Sequence, residues 1–236
     1  MTLAIMQPYL CPYIGYWQLI NAVDTFIVYD NIQFSKKGWF HRNNILVNGQ
    51  KTLFSIPIKK DSDYLDVKDR FLSETSYQQI DKMFRQIQSS YRKAPYFDEV
   101  YPLIQKIFLF EGKNLFDYIY HSIVEVCKFL EIDTKIIISS TINIDHTLKS
   151  QDKVIALNKA VGANRYINPI GGVELYDKNV FSSENIELLF LKSDLPEYKQ
   201  FNYDFIPYLS IIDILMFNSK SEIKEMLNQY TLTGND

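Results

Sequence analysis

Four segments of this 236-residue chain gather residue types that could bind and activate a polar ligand. The first is Gln7-Pro-Tyr-Leu-Cys-Pro-Tyr-Ile-Gly-Tyr16. It follows the apolar run Leu3 to Met6, so it reads as the turn from a buried strand's carboxyl end into a helix. Open α/β sheets bind ligands at such turns, and a helix N-terminus offers free N–H groups that suit phosphate. Gln7 carries a donor and an acceptor at the strand end, and Tyr9, Tyr13 and Tyr16 offer rings with hydroxyls. Gly15, in the helix's first turn, permits close approach.

The second segment, Asp30-Asn31-Ile-Gln33, ends the next strand, which puts Asp30 near Gln7 on one sheet edge. A carboxylate among amides suits a general base, a sugar hydroxyl or a metal; the plainer role for Asp30 is to cap the following turn. The third segment is Lys36-Lys37-Gly38-Trp39-Phe40-His41-Arg42-Asn43. Lys36 and a bidentate Arg42 could clamp a diphosphate while Trp39 stacks on a base or sugar. His41 could serve as a base near neutral pH, and Gln7 or Asn43 could steady an oxyanion. The fourth is the Asn168-Pro-Ile-Gly171-Gly172 turn with Tyr176 after it, where paired glycines let backbone approach a ligand. Neither G-x-x-x-x-G-K-[ST] nor G-x-G-x-x-G occurs, and neither does a G-x-S-x-G elbow. No His/Cys spacing fits a metal, so none is expected. A thiol at a helix N-terminus has a lowered pKa, but a lone Cys11 reads first as a small hydrophobe. His121 and His146 receive no role.

The elements that must hold these segments follow from periodicity. A strand at Leu3–Met6, a helix from Pro12 to about Ala22 and a strand over Thr25–Asp30 make a βαβ unit with parallel strands. Asn48-Gly49 between apolar runs predicts a hairpin. Ser76 and Gln79 predict a capping box for a helix carrying Ile80, Phe84, Ile87 and Tyr91 that Pro95 ends. Helices follow over Asp98–Leu109 and Asn114–Leu130. Strands are then expected at Lys135–Ser139, Arg165–Asn168 and Leu188–Leu191. Between the first two lies a helix capped by Ser150 and stopped by Gly162. Ser219 and Glu222 predict a last capping box, and from Thr231 the chain reads as frayed. The expected fold is α/β: a Rossmann-like parallel sheet in one domain over 1–236, with a mainly helical insertion at 62–131.

Composition narrows the function classes. Net charge is −3, and no Lys/Arg block exceeds two residues, which argues against DNA or RNA. Two cysteines fit a reducing compartment. The apolar N-terminus has no basic residue before Lys36 and is interrupted by Pro8 and Pro12, so it is not expected to act as a signal peptide. No run approaches a membrane span, and a cytoplasmic protein is expected. The 17 Tyr and 16 Phe suit sugar or nucleotide binding, although a Lys/Ile/Asn-rich codon bias explains them as well.

Met6 to Asp24 resembles the opening signature of the WbqC-like family. The resemblance continues through Tyr29 to Gln33, Lys36 to Trp39, Arg42-Asn43 and Ala94 to Phe97. It extends to Gly162-Ala163 with Tyr166, and to Ser210 to Asp213 with Phe217-Asn218. His41 departs from the family's more usual Asn, and Cys11 from another apolar residue, which weakens both as catalysts. The resemblance implies a role in bacterial surface-polysaccharide (O-antigen) synthesis: transfer of an acyl or aminoacyl group, such as glycyl, to a nucleotide-linked amino sugar. The sugar would carry dTDP or UDP, and the donor would be coenzyme A or a carrier-protein thioester, with an acyl carrier protein as partner. Asp30 would then be the base. The opening turn is also similar to nucleotidylyltransferases of the H-x-G-H type, with Tyr13 and Tyr16 where those have histidines. Tyrosine supplies no imidazolium, which weakens adenylyl transfer but leaves nucleotide binding, and a nucleotidylyl- or adenylate-forming enzyme with the helix N-terminus holding a triphosphate is the second reading. A non-catalytic sugar-nucleotide-binding protein is the third reading.

Overall fold

The computed structural model describes residues 1–234. Strand β1 (Thr2–Met6), helix α1 (Ile14–Asn21) and strand β2 (Thr25–Val28) form the expected βαβ unit, with Met6 paired in parallel to Val28. Helix α1 starts two residues after Pro12. The intervening loop turns at Cys11 (φ 43°), and the Pro12 carbonyl accepts from the Trp17 indole at 3.0 Å instead of opening a helix. The loop is also tied from afar. Asn43 donates to the Leu10 and Cys11 carbonyls, Ser210 Oγ donates to Cys11, and the Ile211 N–H donates to Pro12.

A hairpin, β3 (Arg42–Val47) and β4 (Gln50–Ser55), turns at Asn48-Gly49, both with positive φ as a tight primed turn requires. The helical segment holds α2 (Ser76–Tyr91), α3 (Phe97–Phe108) and α4 (Leu115–Leu130). Thr75, not Ser76, takes the cap position of α2, and no side chain caps it, so the expected box is not formed.

The chain then returns to the sheet with β5 (Lys135–Ile138), α5 (Ser150–Val161), β6 (Arg165–Pro169), α6 (Lys178–Ser183) and β7 (Glu187–Ser193). Gly162 ends α5 at φ 73°, as a left-handed stop requires. Ser150 does not cap α5: it is the helix's first residue, at φ 48°, and Lys149 holds the cap position without a side-chain bond. Helices α7 (Ile211–Phe217) and α8 (Lys220–Met226) follow, the latter with the Ser219/Glu222 box in place. From Thr231, where fraying is expected, the chain instead continues strand β8 (Tyr230–Thr233), paired antiparallel to β7.

The six-stranded sheet runs β5-β2-β1-β6-β7-β8, parallel apart from β8. Alternation along β1 divides the core. Ala4 packs with α1 and the helical segment, whereas Leu3 and Ile5 pack with Val154, Leu157 and Phe181 of α5 and α6. Buried Asp213 ties the helical layer together. It accepts from Tyr91 and Tyr198 hydroxyls and from Gln200 Nε2, each at 2.7 Å. Among the described residues no helix is long and apolar enough to cross a membrane.

Candidate functional site

Strand β1 is central: the chain steps outward from it through β2 to β5, then returns to place β6 on its other side. Ligand crevices in open parallel sheets form at this kind of reversal, beyond the strands' carboxyl ends. A cavity of about 1170 Å³ opens there. Its wall draws Gln7 and Tyr9 from the end of β1, Tyr29 and Gln33 from the end of β2, Ser140 from beyond β5, and Asn168, Gly171 and Gly172 from the end of β6. The N-terminal turn of α5 adds Ser150, Gln151 and Lys153. Asp66 and Lys68 enter from the segment before α2, which bonds back onto the β2 end through Val67 N–H to Ile32 and Lys68 N–H to Asp30.

Local bonds hold these groups. Tyr16 is buried and its hydroxyl donates to the Gln7 carbonyl at 3.0 Å, which fixes where β1 ends. Tyr9 donates to Gln7 Oε1 at 3.0 Å, so the Gln7 amide nitrogen keeps its protons for the cavity. Tyr166 donates to Asn168 Oδ1 at 3.1 Å. A Cβ on Gly172 would meet the Asn168 amide nitrogen at 2.1 Å, so the glycine makes room for that amide. His146 faces the cavity but has both nitrogens engaged, one with the Ile142 carbonyl and the other with Asn31 Nδ2. A carbonyl only accepts, so the ring is the Nε2–H tautomer with Nδ1 accepting.

The electrostatics single out two groups. Burial raises the Asp66 carboxyl above the ordinary range, opposed mainly by Lys68, and proximity to Asp69 raises it further. Burial lowers Lys153, opposed by the attraction of Asp66 and Asp30. Its ammonium stands 5.0 Å from the centre of the Tyr29 ring. Burial also pushes the Tyr29 hydroxyl up to about 12.

Of the residues singled out by sequence, Gln7, Tyr9, Asn31, Gln33, Asn168, Gly171, Gly172 and Tyr176 meet at this cavity. The others lie elsewhere. Asp30 is buried behind Ser140, which donates its N–H and hydroxyl to the two carboxylate oxygens. Tyr13 lies across Gly15 and beside Tyr208, away from the cavity wall. Asn43 spends its amide on the β1–α1 loop. Arg42 donates to the Lys37 and Gly38 carbonyls and packs on Trp39, within its own loop, and Lys36 reaches out of the loop to pair with Asp63 at 2.7 Å. His41 is driven down to about 4 by burial and by Arg42 and Arg70, which leaves it uncharged at neutral pH. The Cys11 thiol is fully buried and pushed up to about 12, opposite to the shift a helix N-terminus would give.

Sequence reading passed over Asp66, Lys68, Ser140 and Lys153. A signal existed for Lys153: it precedes Leu157 by four residues, on the stripe that α5 buries. Among the described residues no group of His, Cys, Asp and Glu is placed to hold a metal.

No solved structure matches the chain. An "Uncharacterized protein Rv1507c" from Mycobacterium tuberculosis (strain ATCC 25618 / H37Rv) is similar along nearly all of both chains, at 25% identity over 227 residues, 95% of this chain and 96% of the relative. The WbqC-like protein family matches residues 7–225, which takes in both walls of the β1/β6 crevice, and this chain belongs to that family.

Proposed function

We propose that the protein is a transferase of bacterial surface-polysaccharide (O-antigen) synthesis, which N-acylates or aminoacylates a dTDP- or UDP-linked amino sugar. The observation that carries this reading is the cavity at the β1/β6 reversal. Its volume suits a sugar nucleotide, and it joins lysines, tyrosine rings and amides to one carboxylate raised by burial.

The chemistry needs an amine that has lost its proton. Asp66 is the cavity carboxylate suited to take it, because a raised carboxyl is a stronger base. The base role expected of Asp30 passes to Asp66, since Asp30 has both oxygens on Ser140. The amine nitrogen would attack a thioester carbonyl of coenzyme A or an acyl carrier protein. The Gln7 amide would donate to the oxyanion, and the departing thiolate would take the proton back from Asp66.

The test is mass spectrometry of UDP- and dTDP-linked amino sugars incubated with acyl-coenzyme A or acyl-carrier thioesters. An N-acylated sugar nucleotide is expected, with turnover reduced roughly 10²–10⁴-fold in Asp66→Asn. Binding without product across all donors would favour a sugar-nucleotide-binding protein instead.

A further inference from the structure

Helix α5 has 12 residues and begins at the cavity. No side chain caps it, so the N–H groups of Ser150, Gln151 and Asp152 keep no intrahelical acceptor. Lys153, one turn in, is 95% buried (5% exposed) and lines the cavity. Its ammonium stands 5.0 Å from the centre of the Tyr29 ring, and among the described residues no hydrogen bond or ion pair holds it. The side chain is buried while its charge meets no acceptor, which is costly, and the ammonium still reaches the open cavity, where an anion can meet it. Charge around the cavity points the same way: Lys149 and Lys153 face it against Asp66, while Lys68 is already paired with Asp69 at 2.9 Å. By contrast, none of the residues in the first turn of α1 lines this space.

We propose that the uncapped N-terminus of α5 and Lys153 together form an anion subsite, which holds the diphosphate of the sugar nucleotide. Phosphate oxygens would receive the free N–H groups and the Lys153 ammonium at once, with the partial positive charge of the helix end behind them. That the anion is a diphosphate rests on the sugar-nucleotide reading; the subsite itself rests on the helix end and the buried lysine. The nucleotide would then lie toward α5, leaving the sugar amine to the Gln7, Asp66 and Asn168 side.

The experiment is calorimetric titration of the full chain and of Lys153→Met with inorganic pyrophosphate, UDP, and UDP- and dTDP-linked amino sugars. Alongside it, the side-chain titration of Lys153 is followed by NMR with and without pyrophosphate. Expected is a loss of roughly ten- to hundredfold in pyrophosphate and UDP affinity in Lys153→Met. In the wild type, pyrophosphate should move the Lys153 titration to higher pH, a readout that stands even if the variant folds poorly. Absence of pyrophosphate binding, equal binding by the variant, or a Lys153 titration indifferent to pyrophosphate would each overturn the subsite. If sugar nucleotides still bind in those cases, the sugar-nucleotide reading survives. Pyrophosphate held through Lys153 with no added affinity for any sugar nucleotide would keep the subsite and remove that reading.

Discussion

Asp30 and Ser140 form a closed pair: the Ser140 N–H donates to one carboxylate oxygen at 2.9 Å and its hydroxyl to the other at 2.5 Å. The pair joins the ends of β2 and β5 and sets Ser140 in the cavity wall. Ser140→Ala leaves a buried carboxylate oxygen without its donor, and a loss of about 1–3 kcal/mol in urea unfolding is expected. Asp30→Asn should cost less, because an amide can still accept from the N–H and donate to the hydroxyl. If Asp30→Asn instead abolished turnover at unchanged stability, Asp30 would be acting in the chemistry after all.

Lys153→Met should stabilise the fold while it weakens ligand binding. The unfolded chain holds the lysine proton at ordinary affinity and the folded chain holds it less tightly, because burial lowers this group. The cost is therefore largest at low and neutral pH and fades as pH climbs toward the usual lysine value of about 10.4. The variant's melting temperature should exceed the wild type's at pH 7, by about 2–4 °C for each kcal/mol recovered. The gain should shrink by pH 10, and an equal gain at both would remove desolvation as its cause.

His41 predicts acid sensitivity of its own. Its folded value of about 4 lies below the ordinary 6.5, so the unfolded chain gains a proton first as pH falls. Stability is lost between those two values, by less than the full ~1.4 kcal/mol per unit because the ring is partly open to solvent. His41→Phe keeps a ring against Phe34. Its unfolding free energy should lack this part of the pH profile when the two proteins are compared between pH 7 and pH 4.

Asp213→Ala takes the acceptor from the Tyr91 and Tyr198 hydroxyls and from the Gln200 amide at once, although Gln200 keeps its bonds to Ile206. A loss on the order of 3 kcal/mol or more is expected. Tyr91→Phe should cost less, although Tyr91 also accepts from the Leu46 N–H at 2.8 Å and so links β3 to α7. Thermal melts of the two variants test the ranking.

Gly172→Ala must push the Asn168 amide aside, because the added methyl would stand 2.1 Å from its nitrogen. The obstructing atom ends a side chain and belongs to no backbone, so the fold should survive with a modest drop in melting temperature. Ligand affinity should fall further than stability, and calorimetry beside melting curves separates the two.

Much of the architecture can be read from local pattern. The βαβ opening, the Asn48-Gly49 hairpin and the Gly162 stop each depend on neighbours within a few residues. The site was legible where it sits at strand ends, as at Gln7, Tyr9 and Asn168. It was not legible where side chains arrive from irregular chain: Asp66 and Lys68 follow no period, and only the bonds from their segment to Ile32 and Asp30 bring them in. The basic loop misled for the opposite reason. Arg42 has the spacing of a ligand clamp but finds acceptors in its own loop, a choice that the order of residues does not reveal.

The loop after β1 has a consequence for the order of events during synthesis. Its carbonyls at Cys11 and Pro12 are met by Ser210 and Ile211, the former bond spanning 199 positions. At about 5–20 residues per second, translation leaves roughly 10–40 s between the emergence of the loop and that of its partners. Through that interval the nascent chain carries its opening strand and loop without the contacts that finish them. The crevice is therefore completed only after the α7 segment has left the ribosome, and chains released before α7 should fold around an unfinished β1 turn.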